Sequence, residues 1–335
     1  MATATESDPQ LEARVAEAID LLAGRRVAVL TGAGVSTDSG IPDYRGQGAP
    51  VRRPMTFDQF LADDSSRRRY WVGSHLGWKR FAAAEPNAGH EALARLEHSG
   101  AVTGVVTQNV DGLHLRAGSS RVVELHGTMR RVICLHCGQV FDRRDLAERI
   151  ETDNPWIVAD SDLPLGPDGD VAPATADGFR IPTCSVCEGA LKPDVVFFGE
   201  YIPAERFREA EQIVRGSDAL VIAGSSLVVN SGIRFLDRAR RRRLPIVIVN
   251  RGDTRGDARA TVKIDAGVSN GAELTTSATL TDGADISVND VATVIATSQA
   301  MLDVVISRGD GGGDYVLPGE SILYKVVPEN TGLSP

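Results

Sequence analysis

A chain of 335 residues, 42% of them hydrophobic, with a formal net charge of −9, is large and apolar enough to bury its own core without disulfides. The negative balance speaks against nucleic acid as a direct partner, because phosphate binding asks for a basic face. No apolar run approaches the ~18 residues of a membrane helix, and residues 1–10 are polar and lack an apolar export segment, so the expected location is the cytoplasm, where thiols stay reduced.

Leu11, Val15, Ala18, Ile19 and Leu22 recur at helical spacing and Gly24 follows, which predicts an amphipathic helix over residues 11–22. Residues 27–30 read Val-Ala-Val-Leu and run straight into glycines, the pattern of a buried strand feeding a loop. Similar β-branched runs return at 102–107, 219–223 and 245–250, with helical stretches at 88–98 and 204–215. That alternation predicts an α/β fold: a Rossmann-like, doubly wound parallel sheet with helices on both faces. The sheet domain is assigned to residues 11–130 and 194–267. A helical insertion is expected over 47–81, rich in arginine and aromatics.

Residues 131–193 break the rhythm and hold all four cysteines. From Glu151 to Thr183 lie seven acids, Glu151, Asp153, Asp160, Asp162, Asp168, Asp170 and Asp177, against the single basic Arg180, a composition expected to leave part of the segment as exposed loop. The expectation is a small module inserted into the sheet domain. The tail 268–335 is rich in Thr, Ser, Gly and Val and carries no repeat or motif; its composition admits either a β-rich appendage or an unfolded chain.

Cys134 and Cys137 form one C-x-x-C pair, and Cys184 and Cys187 another. Each spacing lets a tight turn aim two thiolates at one ion, so two pairs complete a tetrahedron, and a closed set of four sulfurs suits a structural zinc. The separation of the pairs exceeds the usual ribbon spacing, an excess the acidic loop can absorb. His136 is an alternative ligand, and two independent dithiols are an alternative to a single metal site.

The loop Gly32-Ala33-Gly34-Val35-Ser36 after the first strand suits backbone approach to a pyrophosphate, although Thr37 leaves the dinucleotide fingerprint incomplete. Residues 37–45, TDSGIPDYR, are too polar and too broken by Gly and Pro to enter a helix directly. Gln108, Asn109, Asp111 and His114 cluster just past the second strand, where ligands bind in this architecture, and Glu124-Leu125-His126-Gly127 presents a histidine at a strand end. Taken alone, His126 reads more readily as a satisfied structural histidine, and Asn109 with Asp111 also fit an Asx turn. His90, His98 and His114 receive no functional assignment, and the run Arg240 to Arg243 reads as a solvated helix end.

Taken in order, GAGVSTDSGIPDYRG (32–46), TQNVDGLH (107–114), ELHG (124–127), the two C-x-x-C pairs, KPDVVFFGE (192–200), GSSL (224–227) and VNRG (249–252) resemble the sirtuin family over roughly residues 11–267. The wide cysteine gap, GSSL and RRRYW (67–71) resemble its class II branch. The resemblance implies NAD-dependent removal of acyl groups from protein lysine, with NAD as co-substrate, one structural zinc ion, and acylated lysine in proteins as the partner. Gly32, Ala33, Gly34, Asp43, Tyr44 and Arg45 would form the NAD loop, with Arg45 near the phosphates and Tyr44 where most members carry Phe. Gln108 would contact ribose, Asn109 and Asp111 the nicotinamide ribose and carboxamide, and Gly224, Ser225, Ser226, Asn250, Arg251 and Gly252 the adenosine half. Val268 would offer its N–H to adenine, at the point where the sequence leaves the family pattern.

His126 would act as general base, taking a proton from a ribose hydroxyl that then attacks the acyl carbon, with Asn109 beside it. Val196, Phe197 and Gly199 would bind the acyl-lysine peptide as an added strand. The rival from the same site is mono-ADP-ribosyl transfer to protein. A hydride-transferring Rossmann enzyme would need a complete fingerprint and an acidic residue ending the second strand, which Val106-Thr107-Gln108 lacks.

Overall fold

The computed structural model describes residues 9–45, 54–157 and 163–266. The chain opens with α1 (Pro9–Leu22), whose Leu11, Val15, Ala18 and Ile19 form one buried stripe. β1 (Val27–Thr31) leads into a 3₁₀ helix, Ala33–Ser39, which Gly40 ends at φ +78°. The polar run from Thr37 therefore does enter a helical turn, because the Gly40 N–H closes on Thr37 O at 3.0 Å. Next come α2 (Phe57–Ala62), α3 (Asp64–Ala83), α4 (Ala88–His98), β2 (Val102–Thr107), α5 (Leu113–Arg116) and β3 (Val122–Glu124). The chain continues through β4 (Gly127–Cys134), β5 (Val140–Asp142), α6 (Arg143–Asp153) and β6 (Leu191–Val195). It closes with α7 (Ala204–Arg215), β7 (Ala219–Ala223), α8 (Asn230–Arg241), β8 (Ile246–Asn250) and β9 (Val262–Asp265).

Six strands form one sheet in the order β3-β2-β1-β7-β8-β9, parallel at every pairing. Alternate side chains leave opposite faces of a strand, so β1 splits its apolar residues between two cores. Ala28 and Leu30 meet Phe207 and Ile213 of α7 and Phe235 and Leu236 of α8. Val27 and Val29 face the other way, against Leu93 of α4. On that same side α1 covers Val247, Val249, Val262 and Ile264. The chain winds outward in both directions from β1 and β7, so a crevice opens at their carboxyl ends. The edge strand β9 was not predicted; its four residues alternate Val-Lys-Ile-Asp and carry little signal by themselves.

A second, antiparallel sheet has the order β5-β4-β6. Its core joins Val132, Cys134, Cys184 and Leu191 to Leu146 and Ile150 of α6 and to Trp71 of α3, so the helical insertion and the cysteine segment share one interior. Trp71 donates its indole N–H to Leu191 O at 3.2 Å. The guanidinium of Arg143, fully buried, lies 5.5 Å from the Trp71 ring centroid and 4.8 Å from that of Trp78.

The acidic segment, expected to be exposed in part, is mixed among its described residues: several are exposed, while Leu165, Val171 and Phe179 are buried. It lies in a groove on α3 made by Gly73 and Gly77, one turn apart. A Cβ on Gly73 would stand 2.4 Å from Val171 O, and one on Gly77 2.2 Å from Gly169 O. The Val171 N–H bonds to Gly73 O at 3.1 Å. Among the described residues, no helix is long and apolar enough to cross a membrane.

Candidate active site

The crevice is a cleft of about 2360 Å³. Its floor is an interlock of two glycine turns. Gly34 donates to Gly224 O at 2.9 Å, and Gly32 to Ala223 O at 3.1 Å. Gly224 holds φ +59°, and a Cβ there would sit 2.4 Å from the Val35 nitrogen; one on Gly32 would sit 2.8 Å from Gly224 O. Gly224→Ala therefore adds a clash to an unfavourable backbone conformation and is expected to cost about 1–3 kcal/mol. A thermal melt with an unchanged midpoint would count against the interlock.

Every catalytic, cofactor-binding and peptide-binding residue expected from the sequence that lies among the described residues lines this cleft. Gly32, Ala33 and Gly34 come from the first turn, and Asp43, Tyr44 and Arg45 from the segment after the 3₁₀ helix. Gln108, Asn109 and Asp111 follow β2, and His126 stands between β3 and β4. Gly224, Ser225 and Ser226 follow β7; Asn250, Arg251 and Gly252 sit at and beyond the end of β8. Val196, Phe197 and Gly199 form the wall after β6. Val268 and the tail 268–335 lie outside the described residues. The expected adenine end is represented by Asp265, which lines the cleft and accepts from the Gly252 N–H at 3.2 Å.

The polar heart of the site is built around Ser36, a residue that sequence reasoning left without a role. Its hydroxyl donates to Asp111 Oδ2 at 2.7 Å and accepts from Asn109 Nδ2 at 2.9 Å. Asp111 Oδ1 takes the Leu113 N–H at 2.9 Å, and burial pushes this carboxyl above its usual range. Beneath, Asn109 N–H bonds to Thr107 Oγ1, which also accepts from Thr31 Oγ1, and Thr31 Oγ1 meets His114 Nε2 at 2.9 Å. His114 is thus a buried floor residue. Its ring packs, tilted by 57°, against that of His90 with centroids 4.7 Å apart, and burial lowers the pKa of both. Asp38, with Oδ2 buried and unpartnered, is pushed up to about 6 by burial, against the opposing charge of Arg251.

His126 reaches the cleft from the side. Its Nδ1 lies 2.9 Å from Gln108 O and its Nε2 3.0 Å from Ser231 Oγ. Burial lowers the imidazole pKa, with a smaller contribution from the Arg206 charge, and the Gln108 carbonyl opposes it. The ring is therefore neutral at neutral pH. Ser231, in the first turn of α8, carries no motif signal; Ser36 sits within the stretch 32–46, but nothing in its spacing singles out its hydroxyl.

Tyr44 gains a reason for its hydroxyl, which donates to Asp168 Oδ1 at 2.5 Å and so ties the loop to the segment lying on α3. Its ring stands edge-on to Phe198 at 6.1 Å. On the wall, the Val196 N–H is bonded to His126 O and the Phe197 N–H to Glu200 Oε2. Phe197 O accepts from the Glu200 N–H, and the Phe197 ring is buried among Phe60 and Tyr70. The N–H groups expected to pair with a peptide strand are already engaged, and Phe198 O accepts from the Phe57 N–H at 2.9 Å in a bridge to Thr56, which leaves the Phe198 side chain and Gly199 exposed on this edge.

The four cysteine sulfurs all lie within 4.8 Å of one another, with Cys134 to Cys187 at 3.5 Å and Cys137 to Cys184 at 3.7 Å. A tetrahedron with Zn–S bonds of ~2.3 Å has edges of ~3.8 Å, so the tetrad fits one zinc ion. The N–H groups of His136 and Cys137 point at Cys134 Sγ, and that of Val186 at Cys184 Sγ, which favours thiolates. His136 is exposed and lends only its main chain; the four sulfurs converge on one point, which disposes of two separate dithiols. None of the four lines the cleft, so the metal is structural.

Comparison with known proteins agrees. The sequence matches the Sir2 family over residues 32–231. It is 52% identical over 257 residues to NAD-dependent protein deacetylase 1 of Mycobacterium avium (strain 104), across 76% of this chain and 91% of that protein. It is 45% identical over 249 residues to the mitochondrial NAD-dependent protein lipoamidase sirtuin-4 of Bos taurus, across 72% of this chain and 79% of the relative. Among solved structures, a Sir2 with a p53 peptide and NAD+ is similar at a TM-score of 0.60 and 33% identity, covering 74% of this chain and 91% of that one. The chain belongs to the Sir2 family.

Proposed function

We infer that this protein is an NAD-dependent protein-lysine deacylase that yields nicotinamide, O-acyl-ADP-ribose and free lysine. The observation that carries the reading is the convergence of a neutral His126, Asn109 and Asp111 on one cleft beside the Gly32–Gly224 turns. The relatives named above, a deacetylase and a lipoamidase, support deacylation over mono-ADP-ribosyl transfer to protein.

NAD supplies a ribose carbon that becomes electrophilic as nicotinamide departs. The chain's residues do the rest. Asn109 and Asp111, braced by Ser36, hold the nicotinamide ribose and carboxamide. Gln108 contacts ribose, Arg45 approaches the phosphates, and Asp43 shapes that turn by accepting the Arg45 N–H at 3.2 Å. Ser225, Ser226, Asn250 and Arg251 hold the adenosine half; Asn250 Nδ2 curls the following turn onto Arg251 O and Gly252 O. Ala33, Gly34 and Tyr44 close over the cofactor, and Val268 would complete its adenine end. The cleft keeps the acyl oxygen and the ribose in line, which lowers the entropic part of the barrier. His126 Nε2 then takes the proton of a ribose hydroxyl, and that oxygen attacks the acyl carbon. Phe198 and Gly199, beside Val196 and Phe197, receive the peptide.

In this reading residues 131–193 are the zinc module, joined by the insertion 47–81, and residues 11–130 with 194–267 are the NAD-binding domain. A reduced thiolate tetrad supports a cytoplasmic location. A net charge of −9 supports a protein substrate with no direct nucleic-acid partner.

The test is mass spectrometry of acetyl-, propionyl-, succinyl- and lipoyl-lysine peptides incubated with protein and NAD. The expected products are free lysine and an ADP-ribose carrying the acyl mass. ADP-ribosylated protein with the acyl-lysine untouched would overturn the reading.

A further inference from the structure

The hydrogen bonds around His126 can be given directions. Gln108 O is a carbonyl and can only accept, so Nδ1, 2.9 Å away, carries the imidazole proton and Nε2 presents its lone pair. Gln108 Oε1 accepts from the Ser225 hydroxyl at 2.7 Å, which turns the amide nitrogen of Gln108 towards Ser231 Oγ at 3.3 Å. Ser231 Oγ accepts that bond, and its own proton is free to go to His126 Nε2 at 3.0 Å. The Leu227 N–H begins the chain by donating to Ser225 Oγ at 3.3 Å. One directional relay therefore runs from the turn after β7, through the end of β2, to the first turn of α8 and onto the imidazole. Ser231 is buried at 7% exposure yet lines the cleft.

We propose that Ser231 is the positioning residue of the general base: it clamps His126 at Nε2 while Gln108 O holds Nδ1, fixing ring plane and tautomer before substrate arrives. The proposal rests on the deacylase reading above. An imidazole bonded at one nitrogen can swing about its Cβ–Cγ bond; bonds at both nitrogens remove that freedom, and the ribose hydroxyl, on replacing the Ser231 O–H at Nε2, meets a lone pair already aimed. A serine suits the task because its hydroxyl is far too weak an acid to protonate the ring. It satisfies the buried lone pair and leaves the base unconsumed, where a carboxylic acid would hold the ring as imidazolium.

The experiment compares Ser231→Ala and Ser231→Thr with the unaltered full-length protein and His126→Ala, in deacylation of an acetyl-lysine peptide and in exchange of labelled nicotinamide into NAD. Exchange reverses cleavage of the glycosidic bond and precedes removal of any hydroxyl proton. Losing one oriented hydrogen bond should lower kcat of Ser231→Ala about 10-fold, with KM for NAD and nicotinamide exchange within about twofold of the unaltered protein, and threonine should restore kcat to within about threefold. An unchanged kcat in the alanine variant, a fall in exchange parallel to kcat, or no rescue by threonine overturns the proposal; the parallel fall would mean that Ser231 acts only by placing Gln108. The deacylase reading fails separately, if the unaltered protein makes no O-acyl-ADP-ribose or if His126→Ala deacylates at full rate.

Discussion

His126→Ala should lower deacylation by about 10²- to 10⁴-fold, the usual contribution of a positioned general base. Neither Asp111 nor His114 can take over. Asp111 is held by Ser36 and the Leu113 N–H, and His114 lies beneath the cleft with Nε2 committed to Thr31. The variant should still fold, because Gln108 O and Ser231 Oγ border the cleft and can turn to water once the ring is gone. A circular-dichroism melt close to that of the unaltered protein, together with the lost rate, identifies a chemical defect. Full activity would remove the base from the mechanism.

The pH dependence follows from the same ring. Burial lowers the His126 pKa below the ordinary 6.5, and only the neutral form can accept a proton. Activity should therefore hold level through neutrality and fall only on acidification below 6.5. An acidic limb of kcat/KM lying above 6.5 in the unaltered enzyme would contradict this account.

The second large effect belongs to the metal. Stripping zinc with a strong chelator, or replacing Cys134 by serine, should unfold the inserted module, since a structural zinc contributes on the order of 10 kcal/mol to the folding of its site. Cys134 and Cys184 are each 1% exposed inside the cluster that holds Val132, Leu146, Ile150 and Leu191, so the sulfurs are part of the core they organise. The damage should spread. Trp71 is bonded to Leu191 O, and its neighbour Tyr70 packs at 5.1 Å on Phe197 of the cleft wall. Deacylation should thus be lost along with the module although no sulfur touches the cleft. Thermal melts with metal analysis, before and after zinc is returned, would show it; a metal-free protein that keeps its melting midpoint and activity would refute it.

Much of this was readable from residue patterns. Strands β1, β2, β7 and β8 announce themselves as β-branched runs because a parallel strand is buried on both faces. The helices Ala88–His98 and Ala204–Arg215 fall where 3.6-residue periodicity puts them. The zinc tetrad is legible because C-x-x-C is a local geometry that the chain carries wherever it goes. β9 was missed, since four alternating residues at a sheet edge make a weak signal. Which part of the acidic segment packs down was not legible, since its burial depends on Gly73 and Gly77, far away on α3.

Local spacing, then, determined by itself which stretches become strands and helices, where the metal ligands lie and which polar clusters end strands, because each of these rests on contacts within a few residues. The tertiary fold alone decided the strand order that opens the cleft between β1 and β7, the bond from Tyr44 to Asp168, the bracing of Asn109 and Asp111 by Ser36, and the meeting of Ser231 with His126. Those partners stand about a hundred residues apart. A hydroxyl in a loop or a helix's first turn looks the same in sequence whether it faces water or a catalytic imidazole, and only the packing of one layer on another chooses between them.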